Sequence, residues 1–377
     1  MLELDRRNRY FDDLFNQPDL MWLGQNTNHF PTPDAVKQAM LDCIASEEYQ
    51  AYAPPAGIEE LRSLILADAG LPNATALVTD GAIEGLYHAC RTLCRPGDQF
   101  ITTDPGWKWP IAFSKASGAE IVEIPIYGPE YGYRLHPDQL SDAVSERTRL
   151  IYLVDPNNPL GVRYEADEIE AFARIARDAG AYLIHDCTYW HFADGHTLAA
   201  DFYPERTLTT YSFSKWLGLA GLRVGAIIGE GPLIESLAEA PPNNLGSNVL
   251  SQRAAAAGLK VKAEWFPEVQ RRQRANQARI REAVLGIPGL AMPIYPSHGN
   301  FVIVDVGDAD VAPEALCDVF RENRVIIRQA SYHTERFRAR FVKISTTVPE
   351  SWVERLCELF PEAVKKARGL NRDVSLY

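Results

Sequence analysis

From about residue 80 to residue 229 the chain alternates two patterns, and that alternation leaves few folds open. Apolar runs too short for helices, "QFITTDP", "LIYLVDP", "AYLIHD", "TLTTYSFS" and "VGAIIG", break off at polar residues. Between them lie stretches of helical period. "DGAIEGLYHACRTLC" places Ile83, Leu86, Tyr87, Cys90, Leu93 and Cys94 at i, i+3, i+4 spacing on one face. "EADEIEAFARIARDAGA" opens on acidic residues and closes at Gly180, which suits the helix dipole and a glycine C-cap. A run that is apolar at nearly every position is a strand buried on both faces. Such strands separated by helices predict an α/β domain of three layers around a mostly parallel sheet.

Past residue 255 the pattern changes. A charged helix, "FPEVQRRQRANQARIREAVL", leads into "GNFVIVDV", another helix, "RVIIRQ", "RFVKIST" and a last helix. This reads as a smaller α+β domain that the first forty or so residues join. The expected division is residues 45–260 for the large domain and residues 1–44 with 261–377 for the small one.

Charge narrows the partners. The 377 residues carry 50 Asp and Glu against 38 Lys and Arg, a formal net charge of −12. Nucleic acid and anionic membrane both call for a basic footprint, so neither is an expected partner. The segment "MLELDRRNRYFDDLF" has no apolar core of a signal peptide, and no run of about 18 apolar residues occurs. Six cysteines without a CxxC pair, in a chain too large to need disulfides, fit a reducing compartment. A soluble cytoplasmic protein is expected.

In open parallel sheets ligands bind beyond the carboxyl ends of the strands. Asp155-Pro156-Asn157-Asn158 follows one apolar run, Asp186 ends the next, and Lys215 follows a third. Lys215 is either a solvated turn lysine or an amine meant to react; burying an ammonium after a strand is costly. A lysine forms an imine with an aldehyde. A carboxylate facing a heteroaromatic nitrogen keeps it protonated, so that the ring accepts electrons from a carbanion. The helix start in "TDGAIEGL", with N–H groups at Ala82 and Ile83, and Arg223 in "GLRVG" can hold a phosphate. These are the parts of a pyridoxal-phosphate site. The eight histidines show no HxH or HExxH spacing, so no metal site is expected, and no nucleotide loop of GxGxxG or GxxxxGK[ST] form is present.

Six short strings, in order and at matching spacing, resemble the aspartate-aminotransferase superfamily, the class I/II aminotransferases of pyridoxal-phosphate fold type I. "YAPPAGIEELR" resembles a stretch whose tyrosine, Tyr52 here, reaches the cofactor phosphate of a partner subunit. "TDGAIEGL" resembles the phosphate-binding turn, which implies Gly81, Ala82 and Ile83. "DPGWKWP" implies Trp107 stacked on the cofactor ring, with Trp109 and Trp190 as packing or pocket wall. "DPNNPLG" resembles N-P-x-N-P-T-G and implies Asn158 at the phenolic oxygen. "HDCTYW" implies Asp186 on the ring nitrogen and Tyr189 as a second phenolic-oxygen donor. "SFSKWLGLAGLRVG" implies Ser212 and Arg223 on the phosphate, Ser214 beside them among the cofactor-binding residues, and Lys215 as the imine lysine.

The resemblance implies a homodimer with shared sites, acting as an aminotransferase between an amino acid and a 2-oxo acid. Catalysis would fall to Lys215, Asp186 and Tyr189. Two departures concern the substrate. Lys343, in "RFVKISTT", stands where most members have an arginine that forks onto the substrate carboxylate, and lysine is only a point charge. Arg328, Arg338 and Arg340 are nearby in sequence. Arg328 stands where many members have proline, as it often does in the histidinol-phosphate aminotransferase and threonine-phosphate decarboxylase branch. Asn26 replaces a glycine near the substrate. The substrate-binding expectation is therefore Asn26, Asn158, Arg328 and Lys343. A decarboxylase, lyase or oxidase on the same fold is the alternative.

Overall fold

The apolar runs do assemble into one sheet in the computed structural model, which describes residues 3–239 and 245–370. Its strands are β1 (Thr75–Thr79), β2 (Gln99–Asp104), β3 (Glu120–Pro125), β4 (Thr148–Val154), β5 (Tyr182–Asp186), β6 (Thr207–Ser212) and β7 (Gly225–Gly229). They lie in the order β1-β7-β6-β5-β4-β2-β3, and all neighbours are parallel except β7, which runs against both β1 and β6. Leu150, Ile151, Leu153 and Val154 of β4 are each 2% exposed or less. Covering such aliphatic chains on both faces contributes about 1.5–3 kcal/mol apiece, which is why the run carries no polar face.

The helices α1 (Ala82–Leu93), α2 (Lys108–Ala116) and α3 (Ala166–Asp178) follow the periodicity of the sequence. Leu86, Cys90, Leu93 and Cys94 pack into one cluster with Phe100, Tyr152 and Ile184 of the sheet. Glu165 and Glu168 form a capping box at the start of α3, which accounts for the acidic opening.

The chain divides into two units, and their boundary corrects the expected one. The larger comprises Asn28–Arg271 and Ser297–Asn300, the smaller Met1–Thr27, Arg272–Pro296 and Phe301–Tyr377. Residues 28–44 and 261–271 thus belong with the sheet rather than with the small domain. Packing is the reason: Phe30, Val36, Phe266 and Val269 share a core with Leu61, Tyr211 and Trp216. The charged helix is one element of 37 residues, α4 (Val249–Leu285), that runs through the boundary.

In the smaller unit, β8 (Phe301–Asp305), β9 (Arg328–Gln329) and β10 (Phe341–Ser345) form an antiparallel sheet in the order β9-β10-β8. The helices α5 (Pro313–Glu322) and α6 (Glu350–Ala367) bury Leu316, Phe320, Leu356 and Phe360 in a cluster with Val302, Val304 and Val342. Among the described residues no helix is long and apolar enough to cross a membrane.

Candidate active site

Because β4, β5 and β6 are parallel, their carboxyl ends fall on one edge of the sheet, with Val154 opposite Asp186 in register. The loop of Asn158, the carboxylate of Asp186 and the segment of Lys215 leave the sheet there. Asn158 is 3% exposed. Its loop is shaped by Asn157, whose main-chain N–H donates to Val162 O at 2.7 Å and whose Oδ1 accepts from the Leu160 N–H at 3.1 Å. Tyr189, also buried, precedes a turn of 3₁₀ helix at Trp190–Phe192. Trp107 is half-buried at the entry to α2.

Asp186 accepts four hydrogen bonds. The Tyr152 phenol donates to Oδ2 at 2.5 Å, and the hydroxyls of Thr188 and Thr210 donate to Oδ1 at 2.7 and 2.8 Å. The Thr188 N–H adds a fourth at 3.1 Å, a local cap of the kind short acidic side chains form. Burial first, and the negative charge of Asp186 second, push the Tyr152 phenol well above its ordinary value, so it keeps its proton and donates. Sequence reasoning missed these three partners. A tyrosine inside an aliphatic run was the available signal: Tyr152 lies two residues before Val154 on the same face, and Val154 pairs with Asp186.

Lys215 sits in the bend after β6, half-buried between the buried Ser214 and Trp216. Burial, and after it the guanidinium charge of Arg223, bring its amine down from 10.5 to about 8. At pH 7 the neutral, nucleophilic form is then roughly two orders of magnitude more abundant than for an ordinary lysine.

The turn expected to hold a phosphate is the start of α1. Gly81 is the N-cap with φ +81, and Ala82 and Ile83 occupy first-turn positions whose N–H groups have no partner within a helix. Arg223 lies across this turn, donating from Nη2 to Asp80 O at 3.2 Å and from Nη1 to Ala220 O at 2.9 Å. A Cβ on Gly81 would come within 2.2 Å of Arg223 Nη2, and one on Gly225 within 2.4 Å of Ala82 N. Two glycines therefore let the helix start and the guanidinium approach each other. Ser212, at the end of β6, is buried and accepts from the Ser214 N–H at 3.3 Å.

Tyr52 is set apart, 81% exposed on the chain's surface. Close by Asp186, His185, Cys187 and His196 bring potential ligand atoms within 4.8 Å of one another, a gathering that local HxH spacing does not reveal.

The substrate candidates Asn26, Arg328 and Lys343 belong to the smaller unit. Asn26 has φ +54, a left-handed conformation that asparagine tolerates better than most residues, and its N–H donates to Ser345 Oγ at 2.8 Å. Arg328 and Lys343 are register partners across β9 and β10, 8% and 4% exposed. Arg328 Nε donates to Gly24 O at 3.3 Å, with the guanidinium 4.6 Å from the Tyr332 ring centre. Lys343 Nζ lies 2.9 Å from His333 Nε2 and 5.3 Å from the Phe301 ring centre. Arg338 and Arg340 instead make ion pairs, with Glu335 at 2.7 Å and Asp305 at 3.1 Å.

The model of the family "Aminotransferase class I and II" matches residues 18–360. The chain belongs to the class I and II aminotransferases. It is 26% identical over 374 residues to an aspartate aminotransferase of Pyrococcus horikoshii, covering 95% of this chain and 93% of that one. It is 31% identical over 319 residues to a histidinol-phosphate aminotransferase of Jannaschia sp., covering 83% and 84%. The solved aspartate aminotransferase of Thermus thermophilus with maleate superposes with a TM-score of 0.85 at 25% identity, over 96% of this chain and 97% of that one. The protein is thus a pyridoxal-phosphate-dependent aminotransferase of fold type I. The two-glycine cradle at Gly81 and Gly225 and the lowered amine of Lys215 fit that cofactor.

Proposed function

We propose that this aminotransferase exchanges an amino group between an amino acid and a 2-oxo acid, with Lys215 as the residue that joins the cofactor and handles the proton. The observation that carries the reading is the place of Lys215, in the bend just beyond β6 at the sheet edge where the Asn158 loop and Asp186 follow β4 and β5, with its amine lowered by burial and Arg223. Pyridoxal phosphate supplies an aldehyde carbon for the amine and a ring that draws electrons from the substrate α-carbon.

The protein residues divide the remaining work. Lys215 would be the general base and acid that takes and returns the α-proton. Asp186 holds the proton of the ring nitrogen, and Tyr152, Thr188 and Thr210 hold Asp186. Asn158 and Tyr189 would donate to the phenolic oxygen, and Trp107 would cover the ring. Gly81, Ala82, Ile83, Ser212, Ser214 and Arg223 bind the phosphate. Arg328 is the fork for the substrate carboxylate, with Lys343 and Asn26 supporting it. Tyr52, exposed in the single chain, completes the phosphate site of a second copy in a homodimer. Five buried thiols among the six free cysteines support a cytoplasmic setting.

Replacing Lys215 with Ala tests the reading. Turnover and the visible absorption of the bound cofactor should both be lost, and full turnover in K215A would refute the assignment. The Lys343 departure favours a second reading, in which the same residues serve a decarboxylase, lyase or oxidase. Donor and acceptor mixtures separate the two: ping-pong transfer supports the first, and ammonia, CO2 or peroxide formed without an acceptor supports the second.

A further inference from the structure

Behind the ring-nitrogen carboxylate lies a second buried carboxylate that the reading above does not use. Asp155 is wholly buried at the end of β4. Its Oδ1 accepts from the Tyr164 N–H at 3.1 Å. Its Oδ2 lies 3.4 Å from His185 Nε2 and 3.0 Å from His196 Nε2. Its own N–H donates to Asp186 O at 3.0 Å.

The proton positions follow from the neighbours. His185 Nδ1 accepts from the Ala199 N–H at 3.2 Å, so the ring proton is on Nε2 and points at Asp155. His196 Nε2 faces two acceptors, Asp155 Oδ2 and Asp155 O at 3.1 Å, and therefore carries a proton. His196 Nδ1 is buried with no hydrogen-bond partner among the described residues. Burial lowers His185. Burial by itself would raise the Asp155 carboxyl, but His196 and His185 outweigh it and hold the group well below the usual carboxylate range. Cys187 is a thiol rather than a thiolate, because burial, then Asp155 and Asp186, push it well above its ordinary value. The titratable groups facing Asp155 are thus His185, Cys187 and Asp186 along and after β5, His196 in the following loop, and Tyr164.

We infer that Asp155, held by the N–H groups of His185 and His196, is a positioning residue for the cofactor's ring-nitrogen site. It is a fixed negative charge that reinforces Asp186 and ties together the two loops that carry Asn158 and Tyr189. The inference rests on the role proposed above for Asp186. The chain order supports it: Asn158 lies three residues after Asp155, Asp186 directly after His185, and Tyr189 between His185 and His196. One carboxylate clamps the end of β4, the end of β5 and the loop at 196. The two imidazoles stack with centres 5.3 Å apart and planes 17° apart, which fixes both donors toward the same oxygen.

Asp155→Asn keeps the shape, removes the charge and leaves an oxygen that can accept. A negative charge favours protonated states nearby, so its loss should lower the midpoint of the pH titration of the cofactor's visible band by about one unit. His196→Gln, which keeps an N–H donor, should hold that midpoint closer to wild type than His196→Leu. In the cofactor-free protein, ¹⁵N NMR should find a proton on Nε2 of both His185 and His196. An unchanged midpoint in D155N with a wild-type melting temperature would overturn the inference, as would an unprotonated Nε2 or a stoichiometric zinc ion bound by His185, Cys187 and His196. A wild-type protein with no visible band after loading would instead sink the proposed function, and the NMR result would still decide the proton assignment.

Discussion

Arg328 and Lys343 stand opposite each other in the antiparallel ladder of β9 and β10, two buried cations on neighbouring strands. Like charges placed directly across a ladder repel, so the pair suits an anion. Arg328, not Lys343, has the planar fork that matches a carboxylate. Arg328→Met should raise KM for both amino acid and 2-oxo acid by about 100-fold, the loss expected for charge-assisted hydrogen bonds. Steady-state kinetics with both substrates check it.

The same geometry says that the family's arginine would not fit at 343. Lys343 Nζ is already 2.9 Å from His333 Nε2 beside the Phe301 ring. Lys343→Arg should overpack this site, lowering stability by about 1–3 kcal/mol in chemical denaturation without improving KM. A tenfold lower KM would show that position 343 is the carboxylate clamp.

Tyr152→Phe removes the donor to Asp186 Oδ2 in a buried site. Leaving that acceptor short of a partner should cost about 1–3 kcal/mol of stability and weaken cofactor retention. Urea unfolding and cofactor titration would measure the two effects on one preparation.

Gly81→Ala puts a Cβ where φ is +81 and where Arg223 Nη2 would lie 2.2 Å away. Arg223 must move, so cofactor affinity should fall at least about tenfold, the scale of one charge-assisted phosphate contact. Equilibrium dialysis with pyridoxal phosphate gives the number.

The pH dependence of stability has a definite sign. The Lys215 amine is lowered from 10.5 to about 8 in the folded, cofactor-free chain. Between those values the unfolded chain binds the proton and the folded chain does not, so the Lys215 contribution to stability rises with pH from about 8 to 10.5. In Lys215→Met that part of the slope should vanish from melts across this range.

Much of the fold was legible because its strands are covered on both faces, which leaves them apolar throughout. β1 ("TALVT") and β3 ("EIVEIP") were not singled out. β3, an edge strand, exposes Glu120 and Glu123 and so breaks the continuous pattern. The domain boundary was misplaced because Phe30, Val36, Phe266 and Val269 join the large core through contacts distant in sequence. The candidate cofactor residues lie in short strings after strand ends, where spacing is informative. Tyr152 and His196 are not in such strings, and Asp155 and His185, which open two of them, carry no spacing that joins them. They meet only through the pairing of β4 with β5 and the return of the loop at 196.

The claim on which the mechanism turns is that one amine, that of Lys215, carries the cofactor. Borohydride reduction of the holo-protein followed by peptide mapping tests it most directly. The account predicts a pyridoxyl group on Lys215 in the peptide spanning "SFSKWLGLAGLR", in an amount matching the visible absorbance lost on reduction. A stoichiometric adduct on another lysine, or reduction that bleaches the band with Lys215 unmodified, would contradict it.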